Sequence, residues 1–536
     1  MNRKSVHFRE RGRIEVNLEL CIFTVYLVVL LMIGYLSSKR ASQSVDDFLL
    51  GGRSVGPAVT AMTMQGTSMS GYMFMGGPAL AYQQGWYALW YAFGDAGGSI
   101  VNISVLGKRM RRLSERLGAL SPVEYLGKRY ESSLVQLIAS IISIVFISVY
   151  VFAQFIAAGK ALTSLTGMPY VPALTVGVGV IVLYTVFGGY LAVVWTDFIQ
   201  AIIMVLGVVG ITAVALVHLG GLTELNHALT RIDPTYLSIW GKDLAYQGQW
   251  GVVLGAVLIY SIGYMGLPHV VVRHMSMQSP KTARTAILWS ASWNQLFVFA
   301  PYLLGLCGIV LLPNLSDPEM VIPELAYTFF PGVFAAILLS AVMAAVMSTS
   351  DSLLMQAGTI LSRDIYQRFI DPKADHRRMV WVSRLLILFV GVVGVAVAAF
   401  EPPSVFQLVI FGFGVLGNSF IVPYVASVYS TKANRVGAIA AMVSGAVTHI
   451  LWTEWNFEAV TGLHPFIGGL VMSILGMLIG NFFGKVPSQK IQQEVEGAKK
   501  GRNISRDLDR HASRELAPEA RNIELHFRSS SEVRPT

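Results

Sequence analysis

Long apolar stretches separated by short polar connections dominate the chain. About 20 apolar residues, rising 1.5 Å each along a helix, cross the ~30 Å hydrocarbon core of a bilayer. We therefore predict thirteen membrane-spanning helices, numbered span 1 to span 13 in chain order. Their approximate bounds are 18–37, 55–81, 85–107, 134–160, 170–190, 193–219, 250–274, 284–312, 333–361, 379–400, 405–430, 435–455 and 465–484.

Two of these spans are interrupted by residues that favour unwinding. Span 2 is broken at residues 66–71 (GTSMSG), and span 7 is broken at residues 261–268 (SIGYMGLP). Glycine tolerates unwound backbone, and Pro268 lacks an amide donor. Because hydrocarbon contains no water to bind the freed carbonyls, a broken helix survives only where it lines a site or packs inside the protein.

The two breaks lie five spans apart. Spans 2–6 (about 55–219) and 7–11 (about 250–430) are therefore predicted to form two five-helix repeats of inverted topology. Paired interruptions at matching places in two repeats are typical of a transporter with its solute site near the middle of the membrane.

The composition agrees with a membrane protein: 54% of the residues are apolar and 13% are charged. A soluble domain carries about twice that charged fraction. We predict an all-α polytopic membrane protein with an N-terminal extension (1–17), a transmembrane domain (18–484) and a polar cytoplasmic tail (485–536). A short helix is expected in the tail near 488–500.

Lys and Arg residues orient the predicted spans. They concentrate in the connections after spans 3, 7 and 9 and are absent after spans 2, 8, 10 and 12; the group after span 7 includes Arg273 near the end of that span. The positive-inside rule therefore predicts an outer N-terminus and a cytoplasmic C-terminus in the plasma (inner) membrane. Five basic residues within 3–13 disagree, so either the later loops overrule them or the true start lies downstream of Met1.

The net charge of +9 is explained by this orientation and not by nucleic-acid binding, because no basic face interleaves with aromatic residues. The chain carries no Ser/His/Asp, HExxH, CxxC or P-loop arrangement, so we predict that it is not an enzyme. Its expected partners are a small solute and lipid. The sequence makes no prediction of oligomeric state.

Span 9 contains four hydroxyls and a carboxylate within residues 344–352 (AAVMSTSDS). Hydroxyl and carbonyl oxygens are hard ligands that suit a small cation such as sodium. The carbonyl of Ala345 and the hydroxyl of Thr349 share one helix face, with Ser348 beside them. The alternative is that these hydroxyls only bond to carbonyls of their own helix.

Asp351 is the residue whose burial costs most, because a charged aspartate near a helix centre costs ~3 kcal/mol on insertion scales. A second cation, proton exchange and a hydroxyl network all remain open for it, and Asp95 in span 3 raises the same question. Asp197 lies near a predicted helix end, where capping is the simpler interpretation.

Aromatic and hydroxyl groups near the breaks are candidates for a solute pocket, with packing as the alternative. They are Thr63, Ser70, Tyr72, Tyr260 and Tyr264.

Six motifs, in order, resemble the sodium:solute symporter family over about 18–484. They are LLGGRS (49–54), SMSGY (68–72), YTVFGGYLAVVWTD (184–197), GYMGLPH (263–269), AAVMSTSDSLL (344–354) and SRDIY (362–366). The resemblance implies a leucine-transporter-type fold and a sodium ion as the coupling ion. It also implies an alternating-access mechanism.

The resemblance also implies site residues. Sodium would lie between spans 2 and 9, bound by the carbonyls of Gly66, Met69 and Ala345 and the hydroxyls of Ser348 and Thr349. Solute contacts would be Ser70, Gly71, Tyr264, Pro268 and Phe413, to which Thr63 is added by its nearness to the break. Asp351 is a possible second ion or proton site, and Arg53 and Asp197 match positions that affect function without binding solute.

Two branches of the family share features with this chain. SMSG and LAVVWTD resemble the proline symporter, whereas GLPHVVVR, EMVIPEL and FGVLGNSFIVP resemble the pantothenate symporter. The proline branch has aspartate and glutamine where this chain has Ser68 and Leu267. We therefore predict a sodium-coupled symporter for a small monocarboxylate such as pantothenate or proline. Proton coupling on the same fold, or a sensor that binds solute without transport, are the alternatives.

Overall fold

A computed structural model describes residues 13–329, 332–400 and 404–500, and every regular element within these ranges is a helix. The basic residues between 3 and 12 that disagree with the predicted orientation lie outside the described residues. The same holds for residues 501–536 of the predicted tail.

Nine of the described helices are long and apolar enough to cross a bilayer, and a bent pair, Trp250–Gly266 with Pro268–Ser276, makes ten. The nine are Cys21–Ala41, Ser133–Thr166, Tyr170–Leu219, Pro280–Leu311, Phe334–Ile370, His376–Ala398, Val405–Tyr429, Arg435–Glu454 and Pro465–Phe483. The first belongs to a helix that begins at Arg13.

The sequence predicts three more spans than this number, and each difference has a local cause. Tyr170–Leu219 contains both span 5 and span 6, which meet at a kink where Gly189 has φ 58° and ψ −154°. Spans 2 and 3 consist of helices shorter than 18 residues. In span 2 these are Pro57–Ser68, Tyr72–Gly76 and Gly77–Gln84. In span 3 they are Gly85–Ala88, Leu89–Asn102 and Ile103–Gly107, and the helix Lys108–Arg116 follows in the connection after span 3.

Both predicted interruptions are present. In span 2 the helix ends at Ser68, and the amide of Gly71 donates to Gln154 Oε1 at 2.8 Å instead of to a carbonyl of its own helix. In span 7 Leu267 is extended (φ −93°, ψ 112°), and Pro268 opens the next helix, which turns by 51°. Proline suits that first position because its missing donor would be unpaired there in any case.

Short helices lie in the connections between spans. They are Val45–Leu50, Gly51–Arg53, Pro122–Arg129, Leu222–Ile232, Pro234–Leu237, Lys242–Leu244, Pro318–Met320, Val321–Phe329 and Phe457–Thr461. A further helix, Gln489–Lys500, lies where the short tail helix is expected, and it buries Ile491 and Val495. Arg112 Nη1 donates to the Ala498 carbonyl at 2.9 Å, which joins this tail helix to the end of span 3.

Span 9 lies at the centre of the helix bundle. In its most apolar 18-residue window 94% of the residues are buried, against 22% for span 1. A helix that is buried all round can be apolar all round, so its few polar residues must find partners in the protein. The hydroxyls and the carboxylate of span 9 are therefore held against neighbouring spans and not against lipid.

Candidate functional site

The break in span 2 meets the hydroxyls of span 9. Ser348 Oγ lies 2.8 Å from the Gly66 carbonyl and 3.1 Å from the Ala345 carbonyl, so it can donate to either. Thr349 Oγ1 donates to the Thr67 carbonyl at 3.0 Å and lies 3.4 Å from the Ala345 carbonyl. All of these residues are buried. The structure thus brings together four of the five expected sodium ligands.

Met69, the fifth expected ligand, lies in the unwound segment itself. Its backbone is outside the helical region (φ −88°, ψ 74°), and its amide donates to the Gln65 carbonyl at 2.8 Å.

The hydroxyls of span 9 divide into two groups. Ser350 Oγ donates to the Val346 carbonyl of its own helix at 2.7 Å, as the simple alternative expects. Ser348 and Thr349 instead reach across to span 2. Ser352 Oγ also lies 3.0 Å from Thr67 Oγ1 of span 2, so three of the four hydroxyls contact another span and Ser350 bonds within its own helix.

A buried ion pair lies beside this contact. Arg273 Nη2 is 3.0 Å from Asp197 Oδ2, and the two side chains are 1% and 0% exposed. The sequence-based interpretation of Arg273 as a loop charge and of Asp197 as a helix-end group is wrong. The cause is the helix after the span 7 break, which carries Arg273 into the bundle.

Thr63, expected near the solute, lies in this ionic cluster. Its hydroxyl donates to Asp197 Oδ2 at 2.5 Å, and Arg273 Nε donates to Thr63 Oγ1 at 3.2 Å. Thr67 also contacts both charged groups. A buried ion pair is stable only when its remaining donors and acceptors are hydrogen-bonded, and these threonines supply such bonds.

Asp351 is fully buried in a hydroxyl network. Its Oδ2 accepts from Tyr184 Oη at 2.8 Å and from Thr196 Oγ1 at 3.3 Å. Its Oδ1 accepts from Ser352 Oγ at 3.3 Å, and Arg273 Nη2 donates to that same Ser352 oxygen at 2.5 Å. Asp351 and Asp197 thus share one guanidinium through a chain of hydroxyls.

An aromatic cluster forms where the two breaks face each other. The Tyr72 and Tyr260 rings are stacked with centroids 4.7 Å apart. The ring of Tyr264 is 6.0 Å from that of Tyr260 and 5.2 Å from that of Phe413 in span 11. Two expected solute contacts, Tyr264 and Phe413, therefore touch each other, and Pro268 lies just beyond them at the end of the break.

Two other expected solute contacts, Ser70 and Gly71, form hydrogen bonds with span 4. Tyr150 Oη donates to Ser70 Oγ at 3.2 Å, and the Gly71 amide is bound by Gln154. A methyl group on Gly71 would lie 2.9 Å from the Ala157 Cβ, so the backbone approaches span 4 closely. Sequence reasoning missed Gln154 and Tyr150, since nothing within span 4 distinguishes them from packing residues.

Asp95 joins the aromatic cluster from span 3. It is fully buried, and its Oδ1 accepts from Tyr264 Oη at 2.9 Å. Its Oδ2 has no hydrogen-bond partner within the described ranges.

Arg53 lies apart from both clusters. It donates to the carbonyls of Ala119 at 2.7 Å and Met275 at 3.0 Å, which ties the connections after spans 3 and 7 together.

Comparison with known proteins identifies the family. The model of the "Sodium:solute symporter family" matches residues 48–445. The osmoregulated proline transporter OpuE of Bacillus subtilis (strain 168) is 30% identical over 472 residues, which are 87% of this chain and 94% of that protein. A sodium/proline symporter of Staphylococcus aureus (strain JH9) is 30% identical over 501 residues, 91% of this chain and 96% of that one.

Solved structures share the fold at lower identity. A Na+-coupled sialic acid symporter in a substrate-bound outward-open state has a TM-score of 0.71 at 21% identity, covering 88% of this chain and 99% of that chain. MHP1, a nucleobase-cation-symport-1 family transporter, has a TM-score of 0.56 at 15% identity, covering 85% and 98%. The expected all-helical, leucine-transporter-type architecture is confirmed.

The family consists of multi-pass membrane transporters and not of enzymes, as the sequence predicts. The chain belongs to the sodium:solute symporter family.

Proposed function

We propose that this protein imports a small monocarboxylate such as proline or pantothenate together with sodium, by alternating access across the plasma (inner) membrane. Its N-terminus would lie outside and its tail in the cytoplasm. The hydrogen bonds from Ser348 and Thr349 to carbonyls of the span 2 break carry the proposal, because they join oxygen-rich groups of two repeats at one buried point.

Sodium is a co-substrate in this proposal. Its ligands would be the carbonyls of Gly66, Met69 and Ala345 and the hydroxyls of Ser348 and Thr349. Each hydroxyl now satisfies a carbonyl with its single proton. With a cation bound, the hydroxyl lone pairs and the carbonyls can all face the same charge, which fixes span 2 against span 9. Sodium would therefore favour the conformation in which these two spans are in contact.

The solute would bind between the breaks of spans 2 and 7. Ser70, Gly71, Tyr264 and Phe413 lie at or beside these breaks, and Pro268 keeps the span 7 break open. Bound sodium would order the first of these segments directly, since Gly66 lies in the last turn of the helix Pro57–Ser68 and Met69 and Ser70 follow the end of that helix. Inward movement of one charge then gains ~2.3 kcal/mol per 100 mV of membrane potential.

Uptake by the purified, full-length protein in proteoliposomes tests the proposal. Labelled amino acids and monocarboxylates, including proline and pantothenate, are offered under an inward sodium gradient or an equal potassium gradient. We expect at least one solute to accumulate with sodium only. Solute uptake that is indifferent to the sodium gradient would contradict the proposal.

Proton coupling is the second candidate, and one observation favours it. Two buried carboxylates, Asp197 and Asp351, share the single guanidinium of Arg273, so one negative charge is left over. A proton or a second cation on Asp351 would neutralise it. Uptake driven by a pH gradient without sodium, and lost in Asp351→Asn, would favour proton coupling over the sodium mechanism.

A further inference from the structure

We infer that the transported solute carries a cationic nitrogen, which pairs with the free Oδ2 of Asp95. The inference rests on the proposed function, because it concerns the solute site of a symporter. It names the solute class, which the family membership leaves open.

The carboxylate of Asp95 is buried and incompletely satisfied. Tyr264 Oη donates to Oδ1 at 2.9 Å, while Oδ2 has no partner and no Lys or Arg pairs with the side chain in the described part of the chain. A buried carboxylate costs several kcal/mol unless a cation or hydrogen bonds compensate it. A cation that pairs with this oxygen would therefore come from outside the described part of the protein.

The neighbours of Asp95 favour an organic ammonium over a bare metal ion. Tyr264 and Tyr260 pack on its face of span 3, since a methyl group on Gly98, one turn further, would lie 2.7 Å from the Tyr264 ring. The Tyr72 and Phe413 rings extend this surface. Aromatic ring faces attract ammonium groups, whereas sodium needs several oxygen ligands at once.

Two further unpaired donors lie in or beside the aromatic cluster. Gln154 Nε2 and Tyr260 Oη are buried and have no partner among the described residues. Gln154 is anchored to the span 2 break through its other amide atom, which accepts from Gly71. Neutral donors of this kind suit a carboxylate, so the site offers an acceptor for a cation and donors for an anion.

These complementary groups suit a zwitterionic solute. A solute with both an ammonium and a carboxylate, such as an amino acid, satisfies Asp95 and the two donors together. Pantothenate has the carboxylate but no cationic nitrogen, so it would leave Asp95 uncompensated. The inference therefore ranks proline and other amino acids above pantothenate.

Matched pairs of solutes test the inference on the purified, full-length protein. Each pair consists of an amino acid and the acid in which oxygen or carbon replaces the nitrogen: proline with tetrahydrofuran-2-carboxylate, alanine with lactate, glycine betaine with 3,3-dimethylbutanoate. Binding is measured in sodium by thermal stabilisation, with wild type, Asp95→Asn, Asp95→Glu and Ser348→Ala.

We expect the nitrogen-containing member of at least one pair to bind about 100-fold more tightly than its partner, because a buried charge left unpaired is strongly rejected. Asp95→Asn should abolish this preference and Asp95→Glu should restore part of it. Tighter binding of the partners that lack the nitrogen, or an unchanged preference in Asp95→Asn, would overturn the inference. A failure of the proposed function would give a different result. The binding preference for the nitrogen-containing solute would persist, but sodium-driven uptake would be absent.

A second observation, independent of transport, concerns the face of the protein that carries the tail. We propose that a cavity of about 460 Å³ there binds the headgroup of an anionic phospholipid. Its lining contains five cations and no acidic side chain: Lys108, Arg109 and Arg112 after span 3, and Lys499 and Lys500 of the tail helix.

The cavity opens towards lipid. Its apolar side is formed by Ile103 of span 3 and by Ala283 and Ile287 of span 8. The next residues of span 8, Leu288 and Trp289, are 68% and 46% exposed, as lipid-facing side chains are. Basic pockets between spans at this depth bind anionic headgroups.

The protein neutralises the cations of the cavity only in part. Glu496 pairs with Lys499 and Lys500 at 3.5 and 3.2 Å, but it does not line the cavity, and one carboxylate is left to balance five cations. The Nε of Arg109 is buried without a partner in the described residues. Burial, Arg116 and Arg109 together lower the pKa of Arg112, which shows the crowding of positive charge that an anion would relieve.

Native mass spectrometry of the full-length protein tests this site, with phosphatidylglycerol against phosphatidylcholine. The variant Lys108→Gln/Lys499→Gln/Lys500→Gln is compared with the control Lys432→Gln/Lys485→Gln/Lys490→Gln, which removes three cations outside the cavity. We expect a preference for phosphatidylglycerol that falls about fivefold for each cation removed from the cavity, and no change in the control.

Equal retention of both lipids, or equal loss in both variants, would overturn the proposal. An excess of inorganic phosphate distinguishes a site for a lipid headgroup from a site for a free phosphate ion. If phosphate alone displaces the lipid completely, the site belongs to a soluble anion and the lipid assignment is wrong.

Discussion

Two serines of the same helical turn differ in the partner that each hydroxyl reaches. Ser348 and Ser350 are both buried in span 9, but Ser350 bonds only to its own helix, whereas Ser348 bonds to the Gly66 carbonyl of span 2. Successive residues of a helix point about 100° apart, so only some hydroxyls of the cluster can face span 2. The cluster was visible in the sequence, but the choice between its members needed the neighbouring helix.

The Arg273–Asp197 ion pair could not be predicted from the sequence. Both lie near the predicted ends of apolar stretches, where charged residues usually reach solvent. Only the folded arrangement of spans 2, 6 and 7 reveals that they meet inside the bundle. Asp95 was noticed because it interrupts an apolar stretch, but its partner Tyr264 lies 169 positions away.

Removal of Arg273 should therefore destabilise the protein strongly. Arg273→Met leaves Asp197 buried without its cation, which costs about 3–5 kcal/mol. Arg378→Met is the control, because Arg378 is 62% exposed and pairs with Asp371 at the surface, where such pairs are worth about 0–1 kcal/mol. Thermal unfolding of the purified variants measures both.

The double variant Arg273→Met/Asp197→Leu should recover much of the lost stability, since it removes both members of the ion pair and leaves one buried carboxylate, Asp351, in excess, as in the wild type. If Arg273→Met unfolds no earlier than Arg378→Met, the buried pair does not have the role described.

At the scale of elements, the breaks were predictable and the helix count was not. Residues 66–71 and 261–268 carry local signals, since small residues and proline weaken a helix wherever they occur. Gly189 has no such distinction, because glycine is common in membrane helices as a packing residue. Its positive φ, which joins spans 5 and 6 closely, became visible only in the structure.

The span 7 break depends on a close backbone approach to span 11. A methyl group on Gly266 would lie 2.7 Å from both the Cα and the carbonyl oxygen of Gly417. Because backbone cannot rotate away as a side chain can, we expect Gly266→Ala to cost about 1–3 kcal/mol and to reduce solute uptake.

Gly210→Ala is the matched control, since nothing lies within 4 Å of a methyl group there. It should be neutral or slightly stabilising. Equal thermal stability and equal uptake of the two variants would show that the approach of spans 7 and 11 is not required.

We expect the stability of the folded protein to depend on pH in part through Glu124, which lies in the connection after span 3. Burial by itself would raise the pKa of this carboxyl, but Arg363, Lys128 and the Leu120 amide lower it below its usual 4.5. A carboxyl with a lowered pKa stabilises the folded state above its unfolded pKa and ceases to do so as the pH falls through the folded value.

We therefore expect Glu124→Gln to lower the Tm at pH 7 and the difference from wild type to shrink as the pH falls below 4.5. Differential scanning fluorimetry across this range measures it. A difference that is constant with pH would mean that the effect comes from packing and not from the charge of Glu124.

For the whole molecule, the sequence predicted the class and the family because both depend on patterns that persist along the chain. Apolar stretches of membrane length, paired breaks and six ordered motifs can each be recognised without knowing which residues are in contact. The arrangement around span 9 could not be predicted, because an apolar stretch shows that a helix is buried in lipid or protein but does not specify which other helices pack against it. The central position of span 9 in turn explains why its polar residues find their partners inside the protein.

Equilibrium binding of radioactive sodium to the purified, full-length protein tests the central claim most directly. The account predicts saturable binding by wild type, an affinity lowered about tenfold or more in Ser348→Ala, since an oxygen ligand is removed, and unchanged binding in Ser350→Ala. Sodium binding that is the same in all three proteins, or that is lost equally in both variants, would contradict the claim that span 9 and the span 2 break form the sodium site.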